Sequence, residues 1–231
     1  MKGLRERAFA GRGADRSRQV YDWWSAHETA YSLFVNSFLL GREQRFRRRA
    51  VSALGLDPGD RVLDIGCGSG PNFRHLDRAV GPEGSVVGVD VSRGMVARAN
   101  ARDDELASGV SVVRGDATRL PVAAGAFDGA LATLSLSAME DVDAVVAEMC
   151  RALRPGGRIA VLDTRSFQSP LGTWLNPLVE GVAAYLTNWY PEADVVGAVG
   201  RTFDRTVVEE FHGGTVFVAH GEKGDPTRDR E

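Results

Sequence analysis

The sequence is short of cysteine, of excess positive charge and of long apolar runs, and each shortage excludes a class of protein. Two cysteines among 231 residues, Cys67 and Cys150, cannot build a disulfide framework or a four-cysteine zinc site, and we expect no metal. With 28 Lys and Arg against 31 Asp and Glu, the net charge of −3 disfavours a nucleic-acid-binding protein. A globular α/β protein remains, with 43% hydrophobic residues.

The longest apolar stretches, residues 31–40 and 130–139, have about half of the ~20 residues that a membrane-spanning helix needs. No apolar segment follows the charged N-terminus, as a secretory leader would require. We therefore expect a cytoplasmic protein. The arginine cluster Arg42–Arg49 predicts either a solvated helix face or peripheral contact with anionic lipid headgroups.

Composition and periodicity divide the chain into consecutive parts. Residues 1–18 contain six basic and two acidic residues among many small ones, which predicts a mobile basic arm. Aromatic residues at spacings of three, four and seven predict a helical region over 19–56. An α/β domain is expected over 57–221, with an aromatic-rich insertion at 167–200 and a tail at 222–231.

Within the α/β domain, short β-branched runs alternate with helical stretches. The strand candidates are 61–65, 86–91, 110–113, 127–134 and 158–163, and the helix candidates are 72–80, 92–107 and 142–153. This alternation predicts a doubly wound, mostly parallel sheet. Two further runs, 206–211 and 215–219, flank His212-Gly213-Gly214 and predict a C-terminal antiparallel hairpin.

A glycine-rich turn follows the first predicted strand directly, in Val62-Leu63-Asp64-Ile65-Gly66-Cys67-Gly68-Ser69-Gly70. Glycines let the backbone bend sharply and approach a ligand without an intervening Cβ. A dinucleotide site needs G-x-G-x-x-G, but Pro71 stands where the last glycine would fall, so a dehydrogenase is disfavoured. The phosphate-loop pattern fails too, because no Gly-Lys-Ser/Thr follows.

Three acidic residues end successive predicted strands. Asp64 precedes the first glycine by two residues, and a carboxylate there suits a cationic ligand better than a pyrophosphate. Asp90 lies twenty residues beyond Gly70, where a carboxylate accepts both hydroxyls of a ribose. Asp116 can accept a hydrogen bond from an adenine amino group. Because the carboxyl ends of parallel strands share one edge of the sheet, we expect the three acids to converge on one crevice.

These segments resemble the class I S-adenosylmethionine-dependent methyltransferases. The resemblance covers roughly residues 60–165 and rests on VLDIGCGSG, VVGVDVSRGMVARA, VRGDATRLPVAAGAFDGAL and LRPGGRIAVLD. Tyr21-Asp22 and the hairpin sequence EFHGGTVFVAHG add a weaker resemblance to the branch of ubiquinone/menaquinone-type C-methyltransferases and phospholipid N-methyltransferases. The family implies a Rossmann-like fold with a seven-stranded, mostly parallel sheet, and S-adenosyl-L-methionine as cofactor, with S-adenosyl-L-homocysteine as product.

The resemblance also implies a set of cofactor-binding residues. They are Tyr21, Asp64, Gly66, Cys67, Gly68, Gly70, Asp90, Val91, Met95, Asp116, Ala117, Thr133 and Leu134. The three glycines would wrap the methionine part, with Asp64 near its ammonium group. Cys67, between them, is expected to serve as a small packing residue.

The other implied residues would hold the nucleoside and the reacting centre. Asp90 would hold the ribose, with Val91 and Met95 beside the adenine. Asp116 and the backbone of Ala117 would contact the adenine edge. Thr133 and Leu134 would face the sulfonium and its methyl group, and Tyr21 would close over the cofactor carboxylate as part of a lid formed by residues 19–56.

Methyl transfer from a sulfonium is an in-line displacement, so alignment in a water-poor site matters more than a catalytic triad. The weak catalytic candidates are His212, Asp141 and His27. Each has a plainer interpretation: an exposed turn histidine, a helix cap and a packed helix histidine, respectively.

The expected acceptor is a small lipophilic molecule, and C-methylation of a quinol is favoured. Aromatic residues of the helical region and of 167–200 would line its pocket. The alternatives are N-methylation of a phospholipid or small amine and, from a different class, a non-catalytic S-adenosylmethionine-binding regulator.

Overall fold

The computed structural model describes residues 13–102, 106–168 and 172–225. The strands are β1 (Arg61–Ile65), β2 (Ser85–Asp90), β3 (Gly109–Arg114), β4 (Phe127–Thr133), β5 (Leu153–Thr164), β6 (Asp204–Phe211) and β7 (Val216–Glu222). The helices are α1 (Gly13–Ala26), α2 (Glu28–Phe38), α3 (Glu43–Ala53), α4 (Phe73–Val80), α5 (Arg93–Asn100), α6 (Val142–Ala152), α7 (Asn176–Thr187) and α8 (Val195–Thr202).

The strands form one seven-stranded sheet in the order β3-β2-β1-β4-β5-β7-β6. β7 runs antiparallel to both of its neighbours, and the other pairings are parallel. The chain order reverses at β1, between β2 and β4, and open α/β sheets bind ligands at the carboxyl ends of the strands flanking such a point. The predicted mostly parallel sheet with a C-terminal hairpin is therefore confirmed.

Helices cover both faces of the sheet because its central strands are apolar on both sides. One face packs against α6 and α8 through residues such as Val145, Met149 and Val199. The other face packs against α3 and α4 through residues such as Phe46 and Leu76. This two-sided core holds the strand ends rigidly, and the site is built on them.

Polar caps fix where the helices beside the carboxyl ends of the strands begin. The hydroxyl of Ser92 accepts a hydrogen bond from Met95 N at 3.1 Å and starts α5 directly after β2. Asp141 accepts one from Ala144 N at 2.9 Å and starts α6. The predicted helix over 92–107 is thus right at its start, but α5 ends at Asn100.

Three helices precede the sheet, and the first begins earlier than the sequence suggested. α1 starts at Gly13, so residues 13–18 of the expected mobile arm are helical, and Arg16 is buried. The reason is tertiary, because Arg16 Nε donates to Asn188 Oδ1 at 2.7 Å, beyond the end of α7. Residues 1–12 of the arm lie outside the described residues. The domain division itself stays a prediction.

Candidate active site

A cavity of about 570 Å³ lies at the carboxyl ends of the central strands. Eleven of the thirteen predicted cofactor-binding residues line it: Tyr21, Gly66, Cys67, Gly68, Asp90, Val91, Met95, Asp116, Ala117, Thr133 and Leu134. The exceptions are Gly70 and Asp64. The cavity walls also include Glu140 and Asp141, so four acidic side chains line a site expected to hold a cation. We refer to it as the cofactor cavity.

The glycine-rich loop needs glycine for two different reasons. Gly66 and Gly68 both have a left-handed backbone, with φ of +63° and +56°. A Cβ at Gly66 would lie 2.6 Å from Ser135 Cβ, so close packing excludes a side chain there. A Cβ at Gly68 would meet nothing within 4 Å, and Gly68 lines the cofactor cavity. The open side of Gly68 is therefore suited to close approach by a ligand.

This difference predicts opposite effects for two alanine substitutions. Gly66→Ala should lower the free energy of unfolding by more than Gly68→Ala, since both carry the left-handed strain of about 1–2 kcal/mol and only Gly66 adds a clash. Gly68→Ala should instead weaken S-adenosylhomocysteine binding. Urea denaturation and calorimetric titration of both variants measure the two effects. Equal destabilisation of the two variants would contradict the packing argument.

Asp90 holds the loop in place and also lines the cavity. Its Oδ2 accepts a hydrogen bond from Gly68 N at 2.9 Å, and its Oδ1 accepts one from Ser92 N at 2.9 Å. Burial raises the pKa of the Asp90 carboxyl above its ordinary value, while these two hydrogen bonds favour the carboxylate. Each oxygen retains a lone pair for a ligand hydroxyl. Asp90 therefore fits the predicted ribose contact.

Asp116 also lines the cofactor cavity. Its Oδ1 accepts hydrogen bonds from the amide and the hydroxyl of Thr118, at 2.9 and 2.8 Å. These bonds fix the carboxylate beside Ala117 at the end of β3. Asp116 and Ala117 therefore border the cavity together, as the predicted adenine contact requires.

Asp64 is the predicted site residue whose position differs most from expectation. It is 0% exposed and lies in β1, where both carboxylate oxygens accept hydrogen bonds from Asn72 Nδ2 at 3.1 Å. Burial raises its pKa to about 7, against the opposing effects of Asn72 and the positive charge of Arg47. Asp64 therefore does not line the cofactor cavity, and its predicted place near the ammonium group of the cofactor stays a prediction.

The raised pKa of Asp64 predicts a pH-dependent stability. Between about pH 4 and 7 the unfolded chain ionises this group while the folded protein keeps its proton, so the free energy of unfolding falls as the pH rises. The limiting slope is about 1.4 kcal/mol per pH unit. Urea denaturation at several pH values should show this decline in the wild type relative to Asp64→Asn, which cancels the other titrating groups. Parallel profiles would refute the prediction.

Arg47 is a site residue that the sequence interpretation missed. It belongs to the cluster Arg42–Arg49, expected to be a solvated or membrane-facing helix surface, but it is only 5% exposed. Its Nη1 donates to Thr133 Oγ1 at 2.6 Å and to Asn72 Oδ1 at 3.0 Å. The contradiction arises because α3 packs on the sheet, and the helix periodicity turns position 47 inward with Phe46.

The guanidinium of Arg47 is positioned to bind an anion. Nε is paired with Glu43 Oε1 at 2.8 Å, while Nη2 makes no hydrogen bond to any described residue. Among the described residues that line the cofactor cavity, Arg47 is the one cation. One signal in the sequence could have revealed this residue: the helical spacing of the aromatic residues turns Phe46 inward, and Arg47 is its direct neighbour.

A second cavity, of about 530 Å³, adjoins the first and is lined mainly by apolar and aromatic side chains. Both cavities are bordered by Tyr21, Tyr31, Leu134 and Ala138. Phe34 and Phe38 of α2 form one wall, and Val179 and Ala183 of α7 form another. We refer to it as the apolar cavity.

Leu134 stands at the junction in an uncommon backbone conformation. Its φ of +54° is rare for a residue with a side chain, and its amide donates to Leu162 O at 2.7 Å. The strain ends β4 abruptly and turns Leu134 between the two cavities. The predicted contact of Leu134 with the reacting methyl group fits this place.

The predicted catalytic candidates are dispersed. His212 lines the apolar cavity, and its Nε2 accepts a hydrogen bond from Arg42 Nη1 at 3.3 Å, while burial and Arg42 lower its pKa. Asp141 lines the cofactor cavity and caps α6. His27 stacks on the exposed Trp23, with the two ring centroids 4.2 Å apart, and lines neither cavity. The structure does not bring the three together.

The lid is fastened to the sheet domain by Asp22, which the sequence interpretation used only as a motif residue. Asp22 Oδ1 accepts hydrogen bonds from Ser92 Oγ at 2.5 Å and from Gly94 N at 3.0 Å. These contacts place α1 against the start of α5. Tyr21, the preceding residue, donates its hydroxyl proton to Thr187 O at 2.9 Å, so it links α1 to the end of α7 beside the cavity.

Comparison with known proteins agrees with this geometry. Residues 62–157 match a family described as "Methyltransferase domain". A demethylmenaquinone methyltransferase from Beutenbergia cavernae is 37% identical over 167 residues, which cover 67% of this chain and 65% of that protein. The chain thus matches slightly less than two-thirds of that relative's length.

Two further matches extend over more of the chain. A ubiquinone/menaquinone biosynthesis C-methyltransferase from Pseudomonas paraeruginosa is 27% identical over 235 residues. The alignment covers 91% of this chain and 91% of that protein. The crystal structure of a methyltransferase from Thermotoga maritima, titled a possible histamine N-methyltransferase, superposes with a TM-score of 0.65 at 22% identity. That superposition covers 89% of this chain and 99% of that one.

These matches confirm the predicted fold, the methyltransferase class of the domain and S-adenosylmethionine as its cofactor. The roles of individual site residues stay predictions. Residues 62–157 form a methyltransferase domain, and the chain has the fold of the class I S-adenosylmethionine-dependent methyltransferases.

Proposed function

We propose that this protein transfers a methyl group from S-adenosylmethionine to a carbon atom of a lipophilic, quinol-type acceptor. The observation that carries the proposal is the pair of adjoining cavities, of about 570 and 530 Å³, one lined by acids and the other by apolar side chains. Relatives named demethylmenaquinone and ubiquinone/menaquinone C-methyltransferases support the choice of acceptor.

The residues of the cofactor cavity fit the charges of the proposed cofactor. Bound S-adenosylmethionine would supply an activated methyl group next to a sulfonium cation. Asp90 would bind the ribose, and Asp116 with Ala117 would bind the adenine. Arg47, through its unpaired Nη2, would bind the carboxylate at the methionine end, beside the glycine loop.

The apolar cavity would exclude water from the acceptor and align its ring with the junction. Alignment and water exclusion are the main contributions a protein makes to this in-line displacement. Tyr21, Tyr31, Leu134 and Ala138 surround the opening through which the methyl group would pass. His212 stays the catalytic candidate on the acceptor side, although the bond from Arg42 occupies its Nε2.

A methyl-transfer assay tests the proposal and its alternatives together. The chain is incubated with tritiated S-adenosylmethionine and a short-chain 2-prenyl-1,4-naphthohydroquinone, with phosphatidylethanolamine and ethanolamine as separate acceptors. We expect label on a ring carbon of the naphthohydroquinone. Label on an amine instead would support N-methylation. Calorimetric binding of S-adenosylhomocysteine with no transfer to any acceptor would favour the non-catalytic regulator.

We also propose that acceptors reach the apolar cavity from an anionic lipid surface. Phe38 and Leu40 line this cavity and are 43% and 70% exposed. Exposed arginines follow: Arg42 directly before α3, and Arg45 and Arg48 on it. Exposed apolar side chains beside cationic ones favour peripheral contact with anionic lipid headgroups. Within the described residues, no helix combines the length and apolar character needed to cross a membrane.

Vesicle sedimentation tests the lipid contact. Vesicles rich in phosphatidylglycerol should retain the wild type, while vesicles of phosphatidylcholine alone should not. Leu40→Asp should lose this retention, and Val113→Asp, the same apolar-to-acidic change at an exposed residue of the edge strand β3, should keep it. Equal retention of both variants would rule out this surface.

A further inference from the structure

Two tyrosines border both cavities, and their hydroxyls are in different situations. Tyr21 donates to Thr187 O at 2.9 Å and is thereby satisfied. The hydroxyl of Tyr31 makes no hydrogen bond to any described residue, although its side chain lies at the junction of the cofactor cavity and the apolar cavity. A donor at such a place needs a partner that arrives with a ligand or with water.

The ring of Tyr31 is held in a defined orientation. Its centroid is 5.2 Å from that of Trp24 and 6.4 Å from that of Tyr21, the second contact being edge-to-face at 87°. These contacts between α1 and α2 pack the ring in the aromatic cluster of the lid. The hydroxyl therefore has a fixed place at the junction.

The surroundings of Tyr31 also define its role as a donor. Burial raises the pKa of Tyr31 to about 12, and the nearby charge of Arg47 only partly offsets this. The phenol therefore keeps its proton at neutral pH. Asp90, Glu43 and Asp163 are the other charged groups that act on it, and all of them oppose ionisation.

We propose that Tyr31 is an acceptor-binding residue whose hydroxyl donates a hydrogen bond to an oxygen on the aromatic ring of the methyl acceptor. The proposal rests on the proposed function and specifies it: the acceptor carries a ring oxygen close to the carbon that receives the methyl group. The hydrogen bond holds the ring at the opening between the cavities. An acceptor with the same ring but no oxygen there loses this orientation.

Binding of two isosteric probes tests the hydrogen bond without requiring turnover. The dissociation constants of 1-naphthol and 1-methylnaphthalene are measured by equilibrium dialysis in saturating S-adenosylhomocysteine, for the wild type and for Tyr31→Phe. We expect Tyr31→Phe to weaken 1-naphthol binding about three- to tenfold and to leave 1-methylnaphthalene binding unchanged. Tyr185→Phe, at an exposed tyrosine of α7, should change neither constant.

The possible outcomes distinguish a failure of the role proposed for Tyr31 from a failure of the proposed function. An equal change for both probes, no change for either, or no binding of 1-naphthol by the wild type would overturn the role of Tyr31. A fall in S-adenosylhomocysteine affinity in Tyr31→Phe, with naphthol binding unchanged, would overturn it in favour of a cofactor contact. A wild type that binds 1-naphthol but not S-adenosylhomocysteine would instead refute the proposed function, and the same probe pair without the nucleoside would still test Tyr31.

Discussion

Replacing Arg47 with alanine is expected to lower the free energy of unfolding by about 3–5 kcal/mol, as removal of one partner of a buried ion pair does. The side chains of Arg47 and Glu43 are only 6% and 13% exposed and lie 2.8 Å apart. The substitution also removes the donor to Asn72 and Thr133, and it leaves the buried Asp64 without its nearest cation. Urea denaturation measures the loss.

Arg49→Ala is the matched control for this prediction. Arg49 lies on the same helix and forms a two-pronged pair with Glu209, but its side chain is 49% exposed. An exposed pair contributes about 0–1 kcal/mol, so the Arg49 variant should stay close to the wild type. If both variants lost the same free energy, burial of the Arg47 network would not be what stabilises the lid.

The second large effect is expected at Asp90. Asp90→Ala should weaken S-adenosylhomocysteine binding by more than tenfold, because charge-assisted hydrogen bonds to a ribose contribute about 1.5–3 kcal/mol. The variant also loses the acceptors for Gly68 N and Ser92 N, which order the loop. Calorimetric titration measures the affinity, and thermal unfolding of the same variant shows how far the fold itself is weakened.

Asp90→Asn separates the two contributions of Asp90. Asparagine keeps one oxygen as an acceptor for a backbone amide but cannot accept both ribose hydroxyls as a carboxylate does. Because it loses one of the two backbone acceptors, we expect the asparagine variant to unfold at a temperature between those of Asp90→Ala and the wild type, and still to bind S-adenosylhomocysteine weakly. Wild-type affinity in either variant would reject the ribose assignment.

The arrangement of the lid explains why these residues act together. α3 brings Arg47 to Asn72 and Thr133, which lie beside the glycine loop and at the end of β4. α1 is fastened to the start of α5 through Asp22. The helices that precede the sheet therefore complete the cofactor cavity and supply its cation, so the site is not contained in the matched residues 62–157 alone.

The predictable part of the site lies where local sequence dictates local geometry. Glycines 66, 68 and 70 adopt positive φ, Asp90 ends β2, and Asp116 follows the end of β3. A parallel sheet then brings these strand ends to one edge, whatever the rest of the chain does. That is why ten of the predicted contacts, those at the strand ends and in the segments that follow them, line one cavity; Tyr21, on α1, is the eleventh.

The errors arose where distant segments compete for the same side chain. The sequence indicated a solvated arginine cluster, yet packing of α3 turns Arg47 inward to Asn72 and Thr133. The predicted contact of Asp64 with the ligand stays a prediction, and the structure adds its pairing with Asn72, which the sequence did not indicate. Helix periodicity states which residues share a face, and it does not state which surface that face meets.

By itself, the sequence determined the α/β class, the positions of the first five strands along the chain, the glycine loop and the acids near the strand ends. These features depend on short-range periodicity and on backbone conformations that few residues adopt. Only the tertiary structure decided that α1 begins at Gly13, that Arg47 enters the cofactor cavity, and that Tyr31 stands unpaired at the junction of two cavities. Burial and hydrogen-bond pairing are properties of contacts between residues far apart in the chain, and composition cannot specify them.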